Sequence, residues 1–272
     1  AFVERAGVSS IVLPTAGTAP RSIETLAALM DARLDADVAV CVSIDGLAET
    51  HYELRGTPLG PTLDFLDAAL ALRSERRRLR VHVQSVINAA NLAEMPALAD
   101  FVARRLGVDG HGFDVIRGDA PDRSLLLREG PLREALALGA DLNRKSWRTG
   151  FQRAFHGRVA RACLRASRGR GWGFACRAGD AVAVLDADGS VLGCELKPAL
   201  GAIRDSGYDI RRLLRTPAAR SFRREARRCG CSHPCFVVPS ALFSPALAVR
   251  VLVDLVTGPL RPGAGRPSRS KA

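Results

Sequence analysis

Four short apolar runs, each followed by a stretch of helical spacing or by a turn, restrict the first half of this chain to one kind of fold. SSIVLPT (9–15), ADVAVCVSID (36–45), LRVHVQSV (79–86) and FDVIRG (113–118) have strand character. Between them, PRSIETLAALMDARL (20–34), LDFLDAALALRSERR (63–77) and NLAEMPALADFVARRL (91–106) carry apolar residues at helical intervals, the first behind a candidate cap at Ser22. The second run is apolar almost without interruption, the pattern of a strand covered on both faces. Strands that alternate with helices are joined by crossovers and lie parallel, so the expectation is a parallel sheet or barrel wall. No sequence repeat of solenoid length stands out.

From 129 to about 168 the spacing is helical, and around Trp172 the grammar changes. AVAVLDADGSVLGC reads as two short strands about the turn Asp186-Ala187-Asp188-Gly189, where glycine tolerates the backbone angle of a tight hairpin. Two short basic helices, 208–214 and 217–228, lead to a cysteine-rich loop. ALFSPALAVRVLVDLV (241–256) is too short to span a bilayer and carries Arg250 and Asp254, so it reads as a packed terminal helix. A domain boundary is expected near 170.

Five of the seven cysteines lie between 176 and 235. Cys176 is followed by twelve residues, Gly189, four residues and Cys194, and the hairpin folds Cys194 back toward Cys176. Cys229, Cys231 and Cys235 follow on one loop. Thiolates converging from a hairpin and a loop can hold either a tetrahedral zinc or an iron–sulfur cube, and spacing alone leaves both open. His233, inside the loop, is a ligand in the zinc reading and a loop residue otherwise. Cys41, in a strand, and Cys163, in a helix, read as small buried apolar residues.

The formal net charge is +12, and only three lysines occur, so the positive charge is nearly all arginine. Six arginines and no acid fall in 151–170, eight arginines in 211–228, and four basic residues in the tail from Arg261 to Lys271. Aromatic residues to stack bases do not interleave with these charges, so solvated helix faces are expected rather than a nucleic-acid surface. The tail, rich in proline, glycine and serine, is expected to be disordered. The first residues, AFVERAGVSS, have no basic-then-apolar leader and no methionine, so the start reads as internal to a longer protein. Without an export signal the thiols stay reduced, which favours metal ligation and a cytoplasmic location.

The cysteine pattern, with the loop CGCSHPC, resembles the C-terminal extension of radical S-adenosylmethionine (radical SAM) enzymes known as SPASM or, in its one-cluster form, twitch. VSIDGLAETHYELRG (42–56), VQSVINAANLAEM (83–95), FDVIRGDAPD (113–122) and LGAIRDSGYDIRRLLRTPAARSFRR (200–224) are similar to further segments of that family, over about 9–236 in all. LPTAGTA (13–19) departs from it, with Ala16 where the family has asparagine. The family's cysteine-x3-cysteine-x2-cysteine loop and its glycine-glycine-glutamate motif are not in this sequence, and their place would precede residue 1.

The resemblance implies an α/β fold: a partial parallel (β/α) TIM-type barrel lacking its first strands over 1–128, then a helical connector (129–170). A small cysteine-rich α+β auxiliary-cluster domain (171–240), a C-terminal helix (241–258) and a basic tail (259–272) would follow. It implies an oxidoreductase whose parent modifies a peptide or protein by 5′-deoxyadenosyl radical hydrogen abstraction, fed by an external electron donor. The implied cofactors are an auxiliary 4Fe-4S cluster here, with S-adenosyl-L-methionine and a second 4Fe-4S cluster in the full-length parent. The auxiliary ligands would be Cys176, Cys194 and two of Cys229, Cys231 and Cys235, of which Cys235 matches the most dependable position. Ser43 and Asp45 match positions near the cofactor ribose. Asn88 with Asn91 would line the cofactor site or form a turn, and Arg117 with Asp119 would contact cofactor or substrate or pair with each other. His51 and Arg55 fall in a connecting loop. No membrane partner is expected. The alternative is a non-catalytic module with a four-cysteine zinc or iron–sulfur site and an arginine-rich nucleic-acid surface.

Overall fold

The computed structural model describes residues 8–19, 21–32, 35–118, 120–146, 149–231 and 234–257. The chain divides into two compact units: residues 1–116, 120–131 and 138–146 form the first, and residues 117–119, 132–137 and 147–272 the second. His233 and Asp119 lie outside the described residues.

In the first unit, strands β1 (Ser10–Thr15), β2 (Asp37–Ser43), β3 (Leu79–Ile87) and β4 (Gly110–Val115) form one sheet in that order, every pair parallel. Helices α1 (Ser22–Asp31), α2 (Ala48–Arg55), α3 (Leu59–Glu75) and α4 (Met95–Arg105) connect them. One sheet face is apolar and closed: Val38, Val40, Val42, Leu79, Val81, Val83 and Ile87 are all but inaccessible. Each such side chain withdrawn from water contributes about 1.5–3 kcal/mol, which is why this face, rather than any polar contact, holds the sheet. Leu26, Phe65, Leu66, Ala69, Leu98 and Val102 supply the buried sides of α1, α3 and α4.

The other face is polar and half-buried. Register places Cys41, His82 and Gly110 in one row and Ser43, Gln84 and Gly112 in the next. The glycines leave room for these side chains: a Cβ on Gly110 would lie 3.0 Å from His82 Nδ1, and one on Gly112 2.3 Å from Gln84 Oε1, whose flexible end would have to move.

The two sheet edges differ. The side-chain amide of Asn143, in α5 (Glu129–Ser146), pairs with the backbone of Phe113 and so finishes β4. Among the described residues β1 pairs only with β2, and Val12 is 61% exposed, so this edge can accept another strand.

Three readings of the sequence need correction. The segment 48–55 is helix α2, not a loop. Its signal is weak because a single side chain, His51, is buried. Arg21, with φ of 65°, rather than Ser22, stands at the N-cap of α1, and the Ser22 hydroxyl donates back to Ala19 O at 2.7 Å. The stretch 241–256 is two helices, α9 (Pro234–Leu242) and α10 (Pro245–Thr257). It breaks where Pro245 cannot donate a helical hydrogen bond and Ser244 accepts from Leu247 N.

In the second unit, α6 (Gly150–Ala166) opens on a capping box between Thr149 and Gln152. The expected hairpin is present as β5 (Val184–Leu185) and β6 (Ser190–Leu192), antiparallel, with Gly189 at φ of 90° and Asp188 Oδ1 accepting from Ser190 N at 2.7 Å. A third strand, β7 (Ala199–Ala202), extends it. The basic helices are α7 (Ile210–Leu214) and α8 (Pro217–Ala226), the latter capped by Thr216.

Candidate metal centre

The site is assembled in the second unit from three separate pieces of backbone. Cys176 precedes the hairpin, and its thiol accepts from Ala178 N at 3.5 Å. Arg177 N donates to the buried Ser240 hydroxyl at 2.8 Å, which fixes this corner to α9. Cys194 stands two residues after β6, and Gly193 beside it exists for packing. A Cβ there would sit 2.2 Å from the Phe222 ring, and one on Gly179 would sit 2.9 Å from it, so the ring lies flat on two glycines. Cys229 N caps α8 by donating to Ala226 O at 2.8 Å. The indole of Trp172, almost fully buried, donates to Cys231 O and pins the loop.

Cys176, Cys194, Cys229 and Cys231 thereby line one cavity of about 370 Å³, walled otherwise by Leu196, Phe222, Ala226 and Phe236, with Lys197, Glu225 and Arg228 also lining it. Lys197 and Glu225 pair at 2.9 Å. Burial pushes the Cys176 and Cys194 thiols above the ordinary cysteine range, and the neighbouring Cys229 adds to both shifts. Thiols held close in an apolar cavity keep their protons until a cation displaces them, so metal binding here releases protons.

The geometry bears on which metal group fits. Four thiolates on one zinc, at a Zn–S distance of about 2.3 Å, stand only about 3.8 Å apart and leave no space between them. Among the described residues, no three histidine, cysteine or acidic side chains converge on a single-ion position. A four-thiol lining on an apolar cavity is a donor set that an iron–sulfur group takes.

Cys235, exposed, is not among the cavity-lining residues. Its thiol accepts from Arg117 Nη2 at 3.4 Å, while Arg117 Nε meets Glu195 at 3.3 Å. The candidate cofactor residue Arg117 is therefore engaged by Glu195 and Cys235.

The remaining candidates lie at the C-terminal ends of β2 and β3 in the first unit. Asp45, buried, accepts from Val86 N at 2.7 Å and pairs with Arg55 at 2.6 Å. Asn88 forms a turn, its side-chain oxygen accepting from Ala90 N and Asn91 N at 2.9 and 3.2 Å. Asn91 spans the strand ends, donating to Asp45 O and Val86 O. His51 is buried, and desolvation with Arg55 nearby lowers its pKa. Ser43 faces the half-buried side of the sheet together with Gln84 and His82. Those last two were not singled out from sequence, although the period of two from Ser43 and the register of β3 point to them.

The fold, a four-stranded parallel α/β unit followed by a cysteine-rich unit, has counterparts of known structure. Solved structures of anSMEcpe share it. The native protein with bound AdoMet and Cp18Cys peptide matches at a TM-score of 0.52 and 18% identity, over 79% of this chain and 60% of that one. Native anSMEcpe with bound AdoMet matches at 0.52 and 16%, over 90% of this chain and 73% of that one. At these identities the likeness is one of fold. The chain spans 60% of the length of the first of these structures. No protein-family model and no curated protein matches the sequence.

Proposed function

We propose that this chain is the auxiliary-cluster part and a portion of the barrel of a radical SAM/SPASM-type iron–sulfur oxidoreductase that modifies a peptide or protein. The observation that carries this reading is the cavity ringed by Cys176, Cys194, Cys229 and Cys231. These four thiols would hold a 4Fe-4S cluster, and Cys235 would remain outside, on Arg117. When bound, such a cluster supplies one-electron transfer or a docking point for substrate.

The chain's own residues do the rest. Phe222, Leu196 and Phe236 give the thiols an apolar wall. In the first unit, Asp45, Arg55, Asn88 and Asn91 brace the strand ends with internal hydrogen bonds. Ser43 and Gln84, on the open face, are the groups that would reach AdoMet. Structures of anSMEcpe contain AdoMet and peptide, which supports a peptide substrate for this fold. The sequence holds no cysteine-x3-cysteine-x2-cysteine loop, so the 272-residue chain alone is expected to leave AdoMet intact. The cytoplasm is the compartment that suits reduced thiols.

The test is anaerobic purification with iron, sulfide and zinc analysis and a visible spectrum. A brown protein containing iron and sulfide supports the reading. A colourless protein with one zinc per chain overturns it and brings forward the zinc module with a nucleic-acid surface.

A further inference from the structure

Helix α10 buries a charge and leaves much of its apolar surface exposed. Its sequence, PALAVRVLVDLVT, has one acidic residue, Asp254, and that residue is 1% exposed. Both carboxylate oxygens are held by Arg158 of α6, at 2.7 and 2.5 Å. Leu247 and Val251 are buried along with Asp254, but Leu252 is 61% exposed, Val256 88%, and Val249 and Val253 at least half. The helix cannot roll to hide them without stripping Asp254 of its partner inside the protein. Beyond the bend of 82° between α9 and α10, Leu242 and Phe243 continue the same exposed apolar surface.

The exposed charge of these helices has one sign. Helices α6, α9 and α10 contain five arginines and one acid, the buried Asp254. Arg177 lies with its guanidinium 6.0 Å from the Phe243 ring centre. In sequence, the residues after Thr257 add Arg261, Arg266, Arg269 and Lys271 with no acid. Although Arg177 is paired with Asp180 at 2.7 Å, an apolar surface whose own helices expose arginine and no acid matches an anionic lipid surface, where hydrocarbon and headgroup charge meet. A second copy of the chain would bring arginine against arginine with no exposed acid on these helices to pair with it.

We infer that α10 and the α9–α10 elbow seat this protein on anionic membrane surfaces. The mode is interfacial. No single helix among the described residues is long and apolar enough to cross a membrane, and α10, at 13 residues, is only about 20 Å long. This departs from the expectation that no membrane partner exists, which weighed spanning rather than lying on the surface. It stands apart from the cluster assignment.

The test is co-sedimentation of the full chain with vesicles of phosphatidylcholine alone or mixed with phosphatidylglycerol. The inference expects binding to the mixed vesicles, at least about tenfold weaker binding to the neutral ones, and loss of binding in Leu252→Asp/Val256→Asp. Both residues are exposed, so the variant should keep its far-ultraviolet circular dichroism. Absence of binding to the mixed vesicles, or undiminished binding by the folded variant, would overturn it. So would a wild-type dimer that the variant converts to monomer without any vesicle binding, which would assign the surface to a second copy.

Discussion

The side chain of Asn143 holds both backbone polar groups of Phe113, donating to its carbonyl at 2.8 Å and accepting from its N–H at 2.9 Å. An amide is the one side chain that imitates a neighbouring strand in this way, with a donor and an acceptor side by side. Replacing it with leucine leaves two groups beside a buried residue without partners. Asn143→Leu is expected to lower stability by about 2 kcal/mol in a chemical denaturation experiment. Asn143→Asp is expected to cost at least as much, because a carboxylate would then face the Phe113 carbonyl.

His111 sets an acid limit on the first unit. Its ring lies 3.9 Å from that of Phe113, and its Nε2 lies 2.8 Å from the Ser85 hydroxyl. That hydroxyl spends its one proton on Ile44 O, so the neutral imidazole carries its hydrogen on Nε2. Burial pushes the pKa down to about 3. The unfolded chain takes up a proton near pH 6.5, and the folded chain only near pH 3. The contribution is therefore complete above 6.5 and is lost as pH falls, at up to roughly 1.4 kcal/mol per unit. His111→Gln is expected to flatten the dependence of unfolding free energy on pH between 6.5 and 4 relative to wild type, and an unchanged slope would count against this role.

Gly193 couples packing to metal retention. An alanine there puts a methyl group 2.2 Å from the Phe222 ring, which must shift, and that ring walls the thiol cavity. Gly193→Ala is expected to bind clearly less iron per chain after reconstitution. Gly60→Ala, where a Cβ meets nothing within 4 Å, is expected to bind as much as wild type.

The inner pair Asp254–Arg158 governs the last helix. Asp254→Ala leaves an arginine in a part-buried position without its carboxylate, at a cost of about 3–5 kcal/mol. Limited proteolysis should then cut preferentially near α10.

The parallel sheet was legible because buried strands declare themselves through runs such as Val38, Val40 and Val42, and the hairpin because Gly189 marks its turn. Helix α2 was not, since a polar helix with one buried side chain has no apolar stripe to read. The ring of four thiols was legible as a group but not as a set. Which loop cysteines face inward depends on Trp172, 59 residues before Cys231, and on Phe222 lying flat on Gly179 and Gly193. The orientation of α10 was hidden for the same reason. Its apolar stretch reads as a packed helix until an ion pair 96 residues apart in sequence decides which side turns outward.

The most direct measurement is iron and sulfide per chain after anaerobic reconstitution of wild type, Cys231→Ala and Cys235→Ala. The proposed assignment gives Cys231 to the cluster and leaves Cys235 on Arg117. Wild type and Cys235→Ala should each carry about four irons and four sulfides, and Cys231→Ala should lose the visible spectrum. A cluster that survives in Cys231→Ala and disappears in Cys235→Ala would contradict the account.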